Sequence, residues 1–247
     1  MIISFITWSV SPEIFQLGPF SIRWYGVLFA LAFIVSYKVV LWMYKREHKP
    51  ESDVEQLTVY MILGTVIGAR LGHCLFYNPE YYLSNPLEII MVWKGGLASH
   101  GALIGILTAV YLYSRKKKEN YIVMLDKLAV VGAISSYFIR LGNLFNSEII
   151  GKPADVAWAF IFTSVDNKPR HPAQLYESIA YLVIFFILLY VYKNKMKNYG
   201  KGLQFGLLLV LVFGFRFFVE FLKEDQSAFE KGMVLNMGQI LSIPFVI

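Results

Sequence analysis

Arg70, Arg140 and Arg216 are the residues of this sequence best equipped for chemistry, because each places a guanidinium inside an otherwise apolar run. Arginine keeps its charge and offers a planar fork of N–H donors that fits a phosphate. An ionisable group within a hydrophobic segment needs a partner or a function. Arg140 opens the stretch Arg140-Leu-Gly-Asn-Leu-Phe-Asn-Ser-Glu-Ile-Ile-Gly151, which closes an apolar run yet holds two asparagines and a glutamate. Arg216 and Glu220 are four residues apart, the spacing of an ion pair on one helix face, and such a pair would also fix the guanidinium for a ligand. His73 and Tyr77 share a face in the same way. His100 stands in Gly95-Gly-Leu-Ala-Ser-His-Gly-Ala-Leu-Ile-Gly105. A lone histidine there is ordinarily a satisfied core residue. Glycine at this density argues instead for close backbone approach, or for a break where the chain lines a cavity. Arg170-His-Pro-Ala-Gln-Leu-Tyr-Glu177 opens another apolar run; Pro172 suits a first helical turn, and Glu177 is a single acid in need of a partner.

The elements that hold these groups must be membrane helices. The chain is 57% hydrophobic and 16% charged, with mean hydropathy +0.53, which is too apolar for a soluble domain of 247 residues. A span needs about 20 apolar residues. The sequence predicts spans over Phe20–Tyr44, Glu55–Tyr77, Leu97–Ser114, Tyr121–Phe145, Pro172–Tyr192 and Gly202–Leu222. A seventh begins near Asn236 and reaches Ile247; so short a helix cannot cross about 30 Å of hydrocarbon, and a truncated span is expected in preference to a re-entrant one. The expected fold is an all-α, polytopic transmembrane helix bundle forming one domain over residues 1–247. Met1 to Val10 are apolar but lack a basic leader and precede Pro12, so a short interfacial segment is expected, not a signal peptide.

Basic residues set the orientation. The connections after spans one, three and five carry eleven: Lys45, Arg46, Lys49, Arg115, Lys116, Lys117, Lys118, Lys193, Lys195, Lys197 and Lys201. The opposite connections carry six over longer loops: Lys94, Lys152, Lys168, Arg170, Lys223 and Lys231. The N-terminus is therefore expected outside, and the connection 146–171 becomes an external loop of a length that is often functional. The net charge of +6 lies in short loop clusters, which suits anionic lipid and not nucleic acid. A single cysteine, Cys74, excludes an internal disulfide and a cysteine-cluster metal site, and four scattered histidines offer no ligand spacing. Neither a metal nor an organic cofactor is expected.

In this arrangement the three arginines lie a few residues before the outer ends of outward-running spans, roughly 10 Å below the outer surface. His100 and Tyr25 reach a similar level. Three guanidiniums at one depth imply an anion, and in the outer leaflet that anion is a phospholipid headgroup. The Arg70 segment, Ala69-Arg-Leu-Gly-His-Cys-Leu-Phe-Tyr-Asn-Pro-Glu80, echoes the Arg140 segment; duplication and the chance recurrence of abundant residues both account for it.

Taken in order, Trp24-Tyr-Gly26, the Arg70 segment, Gly95-Gly-Leu-Ala-Ser-His100-Gly, the Arg140–Gly151 stretch, Arg170–Glu177, Arg216-Phe-Phe-Val-Glu220-Phe and Met237-Gly-Gln-Ile-Leu-Ser-Ile-Pro244 resemble the phosphatidylglycerol–prolipoprotein diacylglyceryl transferases. The resemblance covers nearly the whole chain. It implies a seven-span enzyme of the bacterial inner membrane, N-terminus outside, with its site toward the outer leaflet. Its implied reaction moves diacylglyceryl from phosphatidylglycerol onto the thiol of the lipobox cysteine of a preprolipoprotein, forming a thioether and releasing glycerol 1-phosphate. It implies that Arg140 binds the headgroup and that His100 and Arg216 are essential, with Tyr25, Asn143, Asn146, Glu148, Gly151 and Glu220 as supporting site residues; Arg70 is expected at the lipid from its depth alone. Val212 stands where the family often has tyrosine, and the external loop is shorter than in some members.

The implied chemistry needs a deprotonated thiol from the peptide and a stabilised leaving phosphate. Arg140 and Arg216 are expected on the phosphate, with one of them also favouring the thiolate. His100 is expected as the general base, against a structural role in holding the glycine-rich segment. The alternative activity is an anionic-phospholipid or organic-anion transporter, which would use the same arginines but ordinarily a midplane site between matched broken helices. A non-catalytic scaffold would not need charges converging at one depth.

Overall fold

In lipid, each backbone polar group must be satisfied within its own segment, so apolar runs of this length become helices. A computed structural model describes residues 5–18, 20–195, 200–225, 230 and 232–247. Its helices are α1 (Trp24–Arg46), α2 (Glu51–Phe76), α3 (Pro79–Ser84), α4 (Ser99–Lys117), α5 (Tyr121–Phe145), α6 (Ala173–Lys195), α7 (Leu203–Val219) and α8 (Met237–Val246). Five helices are long and apolar enough to cross a membrane: α1, α2, α5, α6, and α7 with the 3-10 turn that extends it to Leu222. The chain is therefore a polytopic helical membrane protein. α4 has 19 residues but ends in Arg115, Lys116 and Lys117, which shortens its apolar part. Lys197, Lys231 and the first four residues, used above for orientation and for the N-terminal segment, lie outside the described residues.

The expected all-α chain needs one correction. Strands β1 (Ile6–Trp8), β2 (Glu13–Leu17), β3 (Phe20–Arg23), β4 (Phe160–Phe162) and β5 (Pro169–Arg170) form two small sheets. β1 runs parallel to β4, and β5 antiparallel to β4; β2 and β3 form a hairpin. The hairpin delays the first helix to Trp24, where the hydropathy pattern predicts Phe20. Similarly, Pro172 lies just ahead of α6 and not within its first turn.

Two compact units make up the chain, Met1–Val39 with Asp126–Ile247, and Val40–Leu125. In the first, Leu144, Phe160 and Phe162 form a core on which Trp8, Leu141, Ile150 and Leu175 pack, so the three-stranded sheet seats on the end of α5 and the start of α6. Asp126 of α5 accepts from Gly202 N (2.7 Å) and Phe205 N (2.9 Å) and so caps α7, whose own N-cap residue has no side chain. In the second unit α2 and α4 pack through small residues at four-residue spacing: Gly64, Gly68 and Gly72 face Ala109, Gly105 and Gly101. Such faces let helices approach until backbones touch.

Candidate functional site

The first unit carries a chain of buried charges. Glu177, on α6, is 0% exposed, Lys223 2% and Glu220 4%. Lys223 Nζ donates to Glu177 Oε1 (3.0 Å) and to Glu220 Oε1 (2.9 Å). Arg140 Nε lies 3.1 Å from Glu177 Oε2, an ionic contact without an aligned hydrogen bond. Arg216 Nε donates to Glu220 Oε1 at 3.3 Å. Tyr181 O–H donates to Glu177 Oε1 (3.2 Å), and Asn236 Nδ2 to Glu220 Oε2 (3.2 Å). Within this chain of direct ion contacts three cations face two acids, an excess of one positive charge; Glu148, held by Asn143, lies outside the chain. Arg216 makes no hydrogen bond through its terminal nitrogens among the described residues, and its side chain is 32% exposed, so its fork is open to a ligand.

Local structure explains why these groups meet. α5 brings Arg140 and Asn143 to its last turns, and Arg140 Nη1 donates to Asn143 Oδ1 at 3.3 Å. Beyond α5 the chain turns back on itself: Glu148 N donates to Asn143 O (2.9 Å), Asn143 Nδ2 to Glu148 Oε2 (3.1 Å) and Asn146 Nδ2 to Glu148 Oε1 (3.2 Å). The turn is strained. Ser147 and Ile149 have φ of 55° and 56°, a region costly above all for a β-branched residue. Gln174 on α6 donates to Glu148 O at 2.5 Å and holds that geometry. Asn146 Oδ1 is buried without a hydrogen-bond partner. Gly151 is hemmed in, since a Cβ there would lie 2.4 Å from His171 O and 2.9 Å from Leu222 O. Tyr25 packs its ring on Gly142, where a Cβ would lie 2.7 Å from Tyr25 Cδ2. Gly238 of α8 approaches the Glu220 carboxylate as closely, and α8 itself begins with an Asn236–Gln239 capping box.

The loop after Gly151 is fastened by Arg170, which reaches Asp166 (2.6 Å), Glu224 (2.6 Å) and Gly151 O (3.1 Å). The Arg170 hydrogen bond holds the Asp166 carboxyl down at about 2. An acid depressed in the fold stabilises it above the unfolded pKa of about 3.9, and that contribution is lost as pH falls through the folded value. A 13C-labelled Asp166 carboxyl should therefore titrate with a midpoint near 2; a midpoint near 4 would mean that the Arg170 clamp is open in solution.

In the second unit, Arg70 is 3% exposed and its fork is already engaged. Nε donates to Ile89 O (2.9 Å), Nη2 to Glu88 O (2.5 Å), and Nη1 to Gly95 O and to Gly96 O (3.2 Å), while Tyr82 covers the guanidinium at 5.0 Å. This geometry suits a clamp on the 88–96 turns and leaves little of the fork for the phosphate contact the sequence suggested. His73 stacks on Tyr77 at 5.4 Å, and its ring leaves no room for a Cβ on Gly96, which sits at φ 74°. His100 follows that turn at the start of α4. It is exposed and has no hydrogen-bond partner among the described residues, with Gly101 beside it seated on Gly72. Cys74 is buried.

Sequence reasoning missed Lys223, counted above as a loop charge. Its position three residues after Glu220 was the available signal. Tyr181, four residues after Glu177 on the same helix, carried the same kind of signal; Gln174 and Asn236 had none, because their roles depend on which elements meet.

In a polytopic membrane protein, a buried ion network with an open arginine fork is suited to an anion. Comparison with known proteins gives the family. The family model for prolipoprotein diacylglyceryl transferase matches residues 12–247. A phosphatidylglycerol–prolipoprotein diacylglyceryl transferase of Chloroherpeton thalassium is 53% identical over 99% of this chain and 91% of its own length. Those of Bacteroides fragilis and Tolumonas auensis are 51% and 45% identical, over 98% and 97% of this chain and 92% and 93% of their own lengths. The chain belongs to the prolipoprotein diacylglyceryl transferase family.

Proposed function

We propose that this protein transfers the diacylglyceryl group of phosphatidylglycerol to the lipobox cysteine thiol of a prolipoprotein. The observation that carries the reading is the charged chain Arg140–Glu177–Lys223–Glu220–Arg216, with its excess positive charge and the open fork of Arg216. The proposed setting is the bacterial inner membrane, with α4 as a sixth crossing beside the five long apolar helices; α8, ten residues long, falls where the seventh span of the family stands and is by itself too short to cross. The N-terminus is outside and the site opens toward the outer leaflet.

In the proposed reaction the thiol gives its proton to His100 and its sulfur attacks the glycerol carbon that bears the phosphate ester. The S–C bond forms as the C–O bond breaks, and the electron pair leaves with the phosphate oxygen of glycerol 1-phosphate. The phosphodiester carries one negative charge and the departing monoester two, so fixed cations stabilise the transition state more than the bound lipid. Arg216 and Arg140 take the phosphate; Glu177 and Glu220 orient them. Asn143, Glu148 and Gly151 shape the turn beside the headgroup, and the unpaired Asn146 Oδ1 accepts from a hydroxyl of its glycerol. Tyr25 packs behind that turn, and Arg70 is a positioning residue for the segment that leads to His100. The nucleophile comes from the peptide, so Cys74 has no part in the step.

Purified protein supplied with phosphatidylglycerol and a lipobox peptide should release glycerol phosphate and yield a thioether. A peptide with serine for cysteine should give no turnover, because an alkoxide is far harder to form. A folded preparation that releases nothing would defeat the reading. Replacing the base, His100→Gln, should lower the rate by about 10²–10⁴-fold; a rate near that of the wild type would assign the proton to another group.

A further inference from the structure

We infer that Lys223 is a positioning residue for the transfer, setting both the spacing and the residual charge of the two arginines that meet the phosphate. The inference rests on the proposed reaction. Lys223 Nζ is bonded to Glu177, the partner of Arg140, and to Glu220, the partner of Arg216, at 3.0 and 2.9 Å. Its backbone cannot swing away: Lys223 bridges Gly151, Lys152 N donates to Leu222 O (2.7 Å), and Glu224 N donates to Ile150 O (3.2 Å). The turn after α5 and the turn after α7 are thus stitched together at the residue whose ammonium joins the two acids.

The charge balance gives this position its consequence. With the ammonium present, two acids cannot neutralise three cations, and an excess positive charge remains for the phosphate. Without it, each carboxylate is matched by one arginine and the excess is gone. Two acids that shared a cation would also repel, and one would gain a proton or draw its arginine inward. The lipid already carries one negative charge when it binds, and the second appears only as the C–O bond breaks. The loss therefore falls mainly on the chemical step.

Lys223→Met is expected to lower kcat by about 100-fold and to change KM for phosphatidylglycerol by less than about 5-fold. Lys223→Arg should remain within about tenfold of the wild type, since it restores the cation. In the double variant Lys223→Met/Glu177→Gln, one acid leaves with the ammonium and the excess charge returns, so kcat should rise severalfold above that of Lys223→Met. A lysine with a purely structural role would have its melting temperature restored by removal of its partner but would leave kcat per folded protein unmoved, so kcat is measured on folded protein with the melting temperature recorded beside it. If Lys223→Met does not fold, Lys223→Gln with and without Glu177→Gln carries the same comparison. A wild-type kcat in the single variant, or a double variant no faster than the single, overturns the inference. Wild-type protein that releases no glycerol phosphate would instead defeat the reaction on which it rests.

Discussion

Arg140→Leu is expected to reduce glycerol phosphate release by about 10³-fold or more at saturating phosphatidylglycerol and peptide, because one preorganised donor alone is worth about 10²–10³ in kcat. Two losses add here. The phosphate loses a fixed charge where its second negative charge develops, and Asn143 loses the Nη1 contact that ties it to the end of α5. Glu177, 0% exposed, is left with Lys223 as its cation. Removing one member of a buried ion pair costs about 3–5 kcal/mol, so a lower melting temperature should accompany the lost activity. Arg140→Lys separates the two effects. It restores charge beside Glu177 and most of the stability, but a point charge cannot serve Glu177, Asn143 and a phosphate together. Its kcat should stay well below that of the wild type. An Arg140→Leu protein within tenfold of wild-type kcat would remove Arg140 from the phosphate.

How far the sequence revealed this site depends on the range of the interaction. The apolar runs gave α5 its full extent, Tyr121–Phe145, because helix formation in lipid follows from local hydropathy. The Arg216–Glu220 pair was equally legible, since helical geometry sets it. The β1–β4 pairing was not: three residues near the N-terminus meet Phe160–Phe162, and no local period announces a strand pair so distant in the chain. Glu177 read as an acid lacking a partner, but both of its cations come from other elements, Arg140 on α5 and Lys223 after α7. Lys223 was misread because positive charges in loops are ordinarily solvated, whereas this one is enclosed by the turns around Gly151 and Leu222. For Arg70, the sequence supplied the buried guanidinium but not the carbonyls of Glu88, Ile89, Gly95 and Gly96 that occupy it.

Gly68→Leu is expected to abolish the folded protein, and Gly68→Ala to destabilise it by about 3 kcal/mol, the upper end of overpacking costs. A Cβ at Gly68 would lie 2.4 Å from Gly101 O and 2.7 Å from Gly105 Cα. Both obstacles are backbone, so no side chain can rotate aside and the helices themselves must part. Parting them would also disturb Gly72 and Gly101, which lie one helical turn further along and lead into Ser99 and His100. The alanine variant should therefore lose activity beyond its loss of folded protein, by moving His100, the proposed base, without altering it. Gly206→Ala is the matched control: nothing lies within 4 Å of a Cβ there, and alanine in a helix is favoured over glycine by about 1 kcal/mol. Thermal unfolding in detergent should show a lower midpoint for Gly68→Ala and an unchanged or higher one for Gly206→Ala. Equal midpoints for the two variants would mean that α2 and α4 do not pack through their glycine faces.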